Sequence, residues 1–420
     1  MVCKAFYNVG HTDSTTLWES VACTPHDSGQ MCGVLAWVRL RRGQVKRLSL
    51  QAPEQLSLHQ LLPLWGLMTS AFASVESLVS LNFTVAGEVM LAGWVRLMVH
   101  LKWLSVRATT ISVLDGVGSL TRLQHLHLQA FAHPDGITET ISFLPKSIPG
   151  SLGELCLAAC CLPTLPPGLT AAAASLTRLE LSHNVSAAFG QQGPQPGSIA
   201  GLALLPQLSA LRCLQLRHCR LPWLPRELSE LRNLIEVDLS GSLPEDQIPD
   251  IARLSRLQHL QRLGLRPAAL RRAPGLHQLH TACLSGNPHI DLTMGAWVHT
   301  VKQLDIDLCS VATAHKPEAL SAMVQLQVLC LCGGSSSAGG ADPPVLGDAA
   351  VRFLLRGMPV LRLLYLKRGA HRQLTASVEA LAQLVALLRE RPGLALKEVV
   401  EPFGDPFQPR RQTWDAVEVE

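Results

Sequence analysis

The histidine and cysteine pairs are the residues whose types and spacing could support metal chemistry. His125 and His127 flank one leucine, so both imidazoles should lie on the same side of an extended strand. Two imidazoles make only a partial metal site, because zinc and similar ions need a third or fourth ligand. Cys330-Leu-Cys332 and Cys160-Cys161 are spaced too closely for the usual zinc-binding cysteine pairs. The sequence therefore predicts no metal site, and we interpret the two histidines as exposed groups of a contact surface.

No catalytic signature occurs in the rest of the 420-residue chain. The phosphate loop G-x-x-x-x-G-K-[ST], the dinucleotide-binding G-x-G-x-x-G, the zinc-protease H-E-x-x-H and the nucleophile elbow G-x-S-x-G are all absent. The redox and zinc motif C-x-x-C is absent as well. We therefore predict that the protein is not an enzyme and uses no cofactor.

Leucine dominates the composition, with 76 of 420 residues, while charged residues make up only 16%. This composition excludes an intrinsically disordered chain, which needs low hydrophobicity and high charge. The net charge of +4 is too small to argue for nucleic acid or an anionic membrane as a partner. We therefore expect neither of these partners.

We expect neither a secretory signal nor a transmembrane segment in this sequence. The N-terminus lacks a basic region followed by an apolar stretch, and the cysteines are scattered without paired spacing. The best candidate for a transmembrane segment, Gln55–Val75, has no Asp, Glu, Lys or Arg, but it contains Pro63 and several hydroxyl groups, so we interpret it as part of a protein core. We expect a cytoplasmic protein that is not secreted, with the nucleus or the ciliary axoneme and cytoskeleton as alternatives.

One pattern of leucines recurs along the chain, and it must position the histidine and cysteine pairs described above. Leu152, Leu155, Leu157, Cys160 and Leu162 occupy positions 1, 4, 6, 9 and 11 of the frame L-x-x-L-x-L-x-x-N/C-x-L. Thirteen frames span 316 residues in twelve intervals, about 26 residues each. They begin at Val45, Leu78, Leu101, Leu123, Leu152, Leu176, Leu211, Leu234, Leu260, Leu279, Val301, Leu326 and Leu361. The chain therefore resembles the leucine-rich repeat proteins.

This resemblance implies an α/β fold, a horseshoe-shaped solenoid with a parallel concave β-sheet and a mixed helical and irregular convex side. The spacing L-x-L sends both leucines into the core. Asn or Cys at position 9 can hydrogen-bond the backbone of the turn that follows the strand. We therefore interpret one group of residues as structural ladder groups: Cys160, Cys219, Cys309, Asn184 and Asn287.

The domain organisation follows from the extent of the frames. We expect the repeat domain over residues 45–400, a capping helix and linker over 25–44, and a disordered tail over 401–420. The helix of the linker is predicted at Met31–Leu40, and a last capping helix at Thr375–Arg391. The low-complexity insertion Gly333–Gly347 is expected to be mobile.

The N-terminal segment 1–24 contains a second resemblance. Val2, Cys3, Lys4 and Phe6 match V-C-[KR]-x-[FW], and Leu17-Trp18 matches the hydrophobic-Trp pair in the second half of an F-box. The resemblance implies that Phe6, Leu17 and Trp18 are the remnant of a surface for the adaptor of a cullin-type ubiquitin ligase. The opening L-P-x-x-[LIV] helices do not match, so the box is truncated or degenerate. A plain capping segment of the solenoid is the alternative.

The residues around the leucines at positions 4 and 6 should line the concave sheet. Basic and acidic residues are mixed along this face, whereas a nucleic-acid groove would be nearly all basic. We therefore predict a docking surface for a protein, with aromatic and histidine anchors. The predicted binding residues are Trp103, Arg107, His125, His127, Arg178, Glu180, Arg217, Glu236, Asp238, Arg262, Arg266, Asp305, Asp307 and Tyr365.

Two functions are compatible with such a surface. The first is the substrate receptor of a cullin-type ubiquitin ligase, in which the box holds the adaptor and the concave repeats hold a target protein. The second is a stand-alone scaffold, for example one associated with the cytoskeleton or the ciliary axoneme. In either case we expect a monomer that binds a protein.

Overall fold

The structure, a computed structural model, describes part of the chain. The described residues are 19–52, 66–72, 75, 77–86, 88–90, 95–112, 116–130, 148–160, 162, 165–184, 202–219, 221, 224–240, 242–243, 254, 256–257, 259–260, 262–264, 279–283, 296–307, 323–332, 345–346, 360–368, 375–376 and 395–400.

The chain divides into two compact units, Met1–Val237 and Asp238–Glu420. The strands of the first unit are β1 (Ser20–Cys23), β2 (Arg47–Gln51), β3 (Ser80–Thr84), β4 (Glu88–Met90), β5 (Trp103–Ala108), β6 (Thr110–Ser112), β7 (His125–Ala130), β8 (Glu154–Ala158), β9 (Arg178–Glu180), β10 (Cys213–Gln215) and β11 (Glu236–Asp238), the last of which ends at the boundary. The order within its main sheet is β1-β2-β3-β5-β7-β8-β9-β10-β11, and β4 pairs with β6 in a separate two-stranded sheet.

The second unit has the same organisation. Its strands are β12 (Arg262–Gly264), β13 (Thr281–Cys283), β14 (Gln303–Asp307), β15 (Val328–Cys332), β16 (Val345–Leu346), β17 (Leu363–Arg368), β18 (Thr375–Ala376) and β19 (Ala395–Val400). The order of the main strands is β12-β13-β14-β15-β17-β19, all of them parallel. The two-residue strands β16 and β18 pair with each other.

The leucine frames explain the positions of the strands. Each of the thirteen frames contributes one strand, and every one of these strands begins two residues after the first residue of its frame. Neighbouring frames pair position by position, so that Leu126 lies beside Leu155, which lies beside Leu179. These leucines are at most 1% exposed, because the period of two sends them all to the same face. The predicted leucine-rich repeat fold is thereby confirmed.

The connections between strands are mostly short. Turns of 3-10 helix occur at Val95–Leu97, Val117–Ser119, Pro167–Ala172, Leu202–Gln207, Arg226–Glu230 and Ala296–His299. Residues 66–72 are helical, and their buried side chains include Met68 and Phe72. In the described part of the chain, no helix has the length and apolar character needed to cross a membrane.

Helix α1 (Ser28–Leu40) precedes the first frame. The Asp27 side chain caps its N-terminus by accepting a hydrogen bond from the Gln30 N–H at 2.7 Å. Its buried side chains, Met31, Val34, Leu35 and Val38, recur at helical spacing. The predicted helix at Met31–Leu40 is therefore present and begins three residues earlier, because the capping aspartate lies at position 27.

Some elements differ from the sequence-based expectation. Strands β1 and β19 lie outside the thirteen frames and extend the parallel strands at each end. Thr375–Ala376 is strand β18, so the prediction of a helix that begins at Thr375 is wrong at its first two residues. Its partner β16 falls within the predicted mobile insertion. Residues 377–391, the tail 401–420 and the F-box-like residues 1–18 lie outside the described residues, and the predicted domain boundaries stay predictions.

Candidate functional site

The side chains at frame positions 3, 5 and 7 form the face of the first unit's sheet opposite the leucines, which we call the polar face. It corresponds to the predicted concave surface. Parallel pairing without register shift arranges these side chains in rows. The position 3 row is Arg47, Ser80, Trp103, His125, Glu154, Arg178 and Cys213. The position 5 row is Ser49, Asn82, Ser105, His127, Cys156, Glu180 and Gln215.

Trp103, His125, His127 and Glu154 form an aromatic and ionic cluster on three adjacent strands. The Trp103 ring lies 4.6 Å from the His125 ring and 4.8 Å from the His127 ring, centroid to centroid. One carboxylate oxygen of Glu154 lies 3.0 Å from Nδ1 of His125 and 3.9 Å from Nε2 of His127. Hydrogen bonding to His125, and then to His127, holds the pKa of Glu154 well below its ordinary value although burial opposes the shift. Glu154 is therefore ionised at neutral pH.

A charged network continues from this cluster across the next strands. Burial would lower the pKa of Arg178, but neighbouring groups, led by Cys213 and Glu236, raise it above its ordinary value. The Arg217 guanidinium lies 3.7 Å from the Glu180 carboxylate and donates to Oε1 of Gln215 at 3.1 Å. The mixed charges of this part of the polar face are thus largely compensated within the face itself.

Two thiols of the polar face, Cys156 and Cys213, are buried beneath these charges. Burial, reinforced by Glu180, raises the pKa of Cys156 well above its ordinary value. Burial, reinforced by Glu236, raises the pKa of Cys213 to about 12. Both sulfur atoms therefore remain protonated at neutral pH and are poor nucleophiles. Within the described residues, no three His, Cys, Asp or Glu side chains are arranged to hold a metal ion.

The residues at frame position 9 form the predicted structural ladder. Asn184 is fully buried; its Oδ1 accepts from the N–H of Cys160 at 2.9 Å, and its Nδ2 donates to the carbonyl of Leu157 at 2.6 Å. The thiol of Cys160 donates to the carbonyl of Leu128, and that of Cys219 donates to the carbonyl of Leu181. Each side chain therefore binds a backbone carbonyl of the preceding repeat, and the structural interpretation is confirmed for these three residues. Cys309 and Asn287 lie outside the described residues.

A pair of histidines at frame position 8 was missed by sequence reasoning. His183 and His218 have left-handed backbone conformations, with φ of 61° and 52°, and their rings stack at 4.9 Å. Burial, with smaller contributions from His218 and Arg217, lowers the pKa of His183 to about 4. The only available sequence signal was that two successive frames both carry histidine immediately before the ladder residue.

The structure brings together only part of the predicted binding residues. The polar face of the first unit contains Trp103, Arg107, His125, His127, Arg178, Glu180, Arg217 and Glu236. Asp238 belongs to the second unit, where its carboxylate accepts from the N–H of Ser240 at 3.0 Å. The remaining predictions concern side chains outside the described residues: Arg262, Arg266, Asp305, Asp307, Tyr365, and the adaptor-binding remnant Phe6, Leu17 and Trp18. The predicted alternation of charge around Arg262 and Arg266 stays a prediction.

Comparisons with known proteins return similarity to solved structures alone. No family model matches the chain, and no curated protein matches it. An internalin from Listeria monocytogenes is 15% identical over 90% of this chain and 94% of its own, with a TM-score of 0.47. A leucine-rich repeat protein from Leptospira interrogans is 16% identical over 94% of this chain and 98% of its own, with a TM-score of 0.43. The thirteen frames and their in-register parallel strands give this chain a leucine-rich repeat fold.

Proposed function

We propose that the chain is a non-enzymatic protein-binding scaffold that docks a partner protein on the polar face of its first unit. The observation that carries this proposal is the unbroken register from β2 to β10, which places polar and aromatic side chains side by side without an activated nucleophile. Aromatic residues and arginines are the groups enriched at the centres of protein interfaces. Here Trp103 on β5 and Arg217 in the turn after β10 supply both types.

The electrostatics of the polar face favour a specific partner over a promiscuous one. Glu154 lies against His125 and His127, and the carboxylate of Glu180 lies 3.7 Å from the guanidinium of Arg217, so both carboxylates already have defined neighbours before a partner arrives. Fixed charges mainly contribute specificity and association rate, because a mismatched partner leaves a charge desolvated. The arrangement is therefore suited to discrimination between partners.

The proposal can be tested with a photo-crosslinking amino acid at matched serine positions. Ser105 lies on the polar face, whereas Ser229 lies in the 3-10 turn Arg226–Glu230, and both are half-buried. In cells, the probe at Ser105 should give discrete adducts with another protein, and the probe at Ser229 should not. Adducts from Ser229 alone, or none from Ser105, would reject the polar face as the docking surface.

For the specific role, we propose the substrate receptor of a cullin-type ubiquitin ligase. The support is the F-box-like pattern of residues 2–21, with Phe6 and Leu17-Trp18 as the adaptor-binding remnant. Because only the second half of the box matches, purified ligase adaptor should bind the chain no more than weakly, and the triple substitution of Phe6, Leu17 and Trp18 by alanine should abolish that weak binding. If the unmodified chain does not bind the adaptor, the stand-alone scaffold of the cytoskeleton or axoneme becomes the preferred function.

A further inference from the structure

Exposed basic and apolar side chains lie close together at the amino ends of strands β5 and β7. We call four of these residues the edge patch: Leu97, Val99, Lys102 and Arg122. All four are exposed, and the large apolar side chains of Leu97 and Val99 are 47% and 49% exposed. The edge patch adjoins the polar face, because Lys102 is followed directly by Trp103.

Backbone pairing fixes the distance between the two cations of the edge patch. The carbonyl of Lys102 accepts a hydrogen bond from the N–H of Gln124 at 2.9 Å, and the guanidinium of Arg122 lies 3.2 Å from Nδ1 of His100. One strand spacing and two residues therefore separate Lys102 from Arg122, which places their Cα atoms roughly 8 Å apart. Residues two apart on an extended peptide are about 7 Å apart, so their carboxylates can reach both cations.

The turn before β5 explains why Leu97 and Val99 are exposed. Val95, Met98 and Leu101 are at most 3% exposed. The N–H of Met98 donates to the carbonyl of Val95, and the N–H of Leu101 donates to the carbonyl of Met98. This spacing of three residues sends one side chain of each tight turn into the core and leaves the residues between them outside. Leu97 and Val99 are therefore available to a partner.

The positive charge of the edge patch is unbalanced within the described residues. Residues 95–112 and 116–130 contain no Asp or Glu. Neither Lys102 nor Arg122 forms an ion pair in the part of the chain that the structure describes. The nearby sequence also contains Glu76, Glu88 and Asp115, whose side chains lie outside the described residues.

Another pair of exposed cations on the same edge of the sheet differs in its surroundings. Arg212 occupies the position of Lys102 in its own repeat, with equivalent backbone hydrogen bonds, and Arg232 precedes β11. Glu227 and Glu230 lie in the 3-10 turn before Arg232. No large apolar side chain is exposed among the described residues of 202–240. The edge patch therefore differs in combining unbalanced positive charge with exposed apolar surface.

We infer that the edge patch binds a segment of the partner protein in which acidic residues are interspersed with apolar ones. This inference rests on the proposed function and specifies the chemistry of the partner at the margin of the polar face. Carboxylates of the segment pair with Lys102 and Arg122, and its apolar side chains cover Leu97 and Val99. The charges contribute association rate and specificity, whereas removal of apolar surface from water contributes affinity.

A protein segment fits this surface better than an anionic membrane or a nucleic acid. Membrane-binding clusters typically contain roughly four to eight Lys or Arg residues. The edge patch has two, and the exposed Arg96 adds a third. A nucleic acid requires a nearly continuous basic track. In the next repeats along this edge, Gln124, Gly153 and Thr177 follow Lys102 at the same position.

The test of the charges uses the fluorescein-labelled peptide Gly-Glu-Leu-Glu-Glu-Leu-Glu-Gly, the leucine peptide, with the full chain. Fluorescence anisotropy measures binding in about 0.1 M salt, where the screening length is about 10 Å. Lys102→Glu with Arg122→Glu should weaken binding by at least about fivefold, because attraction becomes repulsion at both positions. The matched control, Arg212→Glu with Arg232→Glu, makes the same change of net charge four strands away. That distance is roughly 19 Å, so the control should change the Kd by less than about twofold.

A second comparison tests the apolar contact with a serine peptide, in which serine replaces both leucines. Leu97→Ser with Val99→Ser should weaken binding of the leucine peptide by at least about threefold, because the apolar contact is lost. The same variant should change the Kd of the serine peptide by less than about twofold, since coupling of this kind requires that the exchanged side chains touch. All substituted positions are exposed, and the Tm of each variant verifies the fold. If Lys102→Glu with Arg122→Glu lowers the Tm, Lys102→Gln with Arg122→Gln takes its place and should weaken binding by at least about threefold.

Several outcomes would overturn the inference. The natural chain might not bind the leucine peptide, or the Lys102/Arg122 variant and its control might weaken binding equally, which would show attraction to net charge alone. Equal weakening of both peptides by Leu97→Ser with Val99→Ser would exclude the apolar contact. Binding of phosphatidylserine vesicles or oligo-dT in place of the peptide would assign the edge patch to a membrane or a nucleic acid. Dimerisation of the chain that requires Lys102 and Arg122 would assign it to a second copy.

Failure of this inference can be distinguished from failure of the proposed function. If the probe at Ser105 crosslinks a partner while the leucine peptide does not bind, docking on the polar face stands and the edge patch is rejected. If the leucine peptide binds with both expected dependences while Ser105 gives no adduct, the edge patch is a binding site and docking on the polar face is rejected.

Discussion

Protonation of His183 should destabilise the fold in a narrow range of acidic pH. Its ring stacks on His218 beside Arg217, and burial with these two neighbours lowers its pKa from 6.5 to about 4. Above pH 6.5 the histidine is neutral in both the folded and unfolded states, so it contributes no pH dependence. Between pH 6.5 and 4 the unfolded chain takes up a proton that the folded chain refuses. The free energy of unfolding therefore decreases as the pH is lowered from 6.5 to 4, and it becomes constant below pH 4.

The size of the effect follows from the shift in the pKa of His183. A shift of one pKa unit corresponds to about 1.4 kcal/mol, so the full loss amounts to about 3 kcal/mol once the pH is below 4. At pH 5 His183 is almost fully protonated in the unfolded chain and mostly neutral in the folded chain. The free energy of unfolding is then about 2 kcal/mol lower than at neutral pH. A loss of this size is a considerable part of the stability of an ordinary domain.

The assay is urea unfolding of the full chain and of the variant His183→Asn at pH 7.5 and pH 5.0. Asparagine tolerates the left-handed conformation that residue 183 adopts, with φ of 61°, and it does not titrate. The substitution therefore removes the titrating imidazole without forcing a backbone change. Between pH 7.5 and pH 5.0, the free energy of unfolding of the variant should decrease by about 2 kcal/mol less than that of the natural chain.

Two results would refute the reasoning about His183. One is an identical pH dependence in the natural chain and in His183→Asn, which would mean that the folded state accepts the proton freely. The other is the same change of pH dependence in the control His100→Asn, because His100 is exposed and belongs to no stacked pair among the described residues.

Three further predictions concern the core and the ladder. Replacing Asn184 by alanine should lower the free energy of unfolding by about 3 kcal/mol or more in urea, because buried backbone groups lose their partners, whereas Cys219→Ala should cost about 1 kcal/mol. The substitution Leu214→Asp should abolish cooperative thermal unfolding of the first unit, because it buries an unpaired charge, while Leu214→Met should cost less than about 1.5 kcal/mol. The substitution Gly264→Ala should lower the Tm, because the added Cβ would collide with the carboxylate of Asp238 and the hydroxyl of Ser240; an unchanged Tm would contradict that close packing.

The strands of this protein are largely determined by local sequence. The L-x-L spacing specifies which side chains enter the core, and all thirteen frames place their strand at the same offset. This is possible because strand periodicity is a property of neighbouring residues and needs no distant contact. The ladder role of Asn184 and Cys160 was likewise predictable, since position 9 always follows the strand at the same place in the turn.

Tertiary structure decided the features that depend on neighbouring repeats. The pair His125-Leu-His127 predicted two imidazoles on one side of a strand, but their partner Glu154 lies in the next repeat. The stacking of His183 on His218 and the burial of Cys156 likewise require adjacent strands. Strand β1 has no leucine frame and becomes a strand only by pairing with β2. Pairing in register joins residues about 20 to 35 positions apart, and since the loops between frames vary in length, sequence distance alone does not reveal which side chains meet.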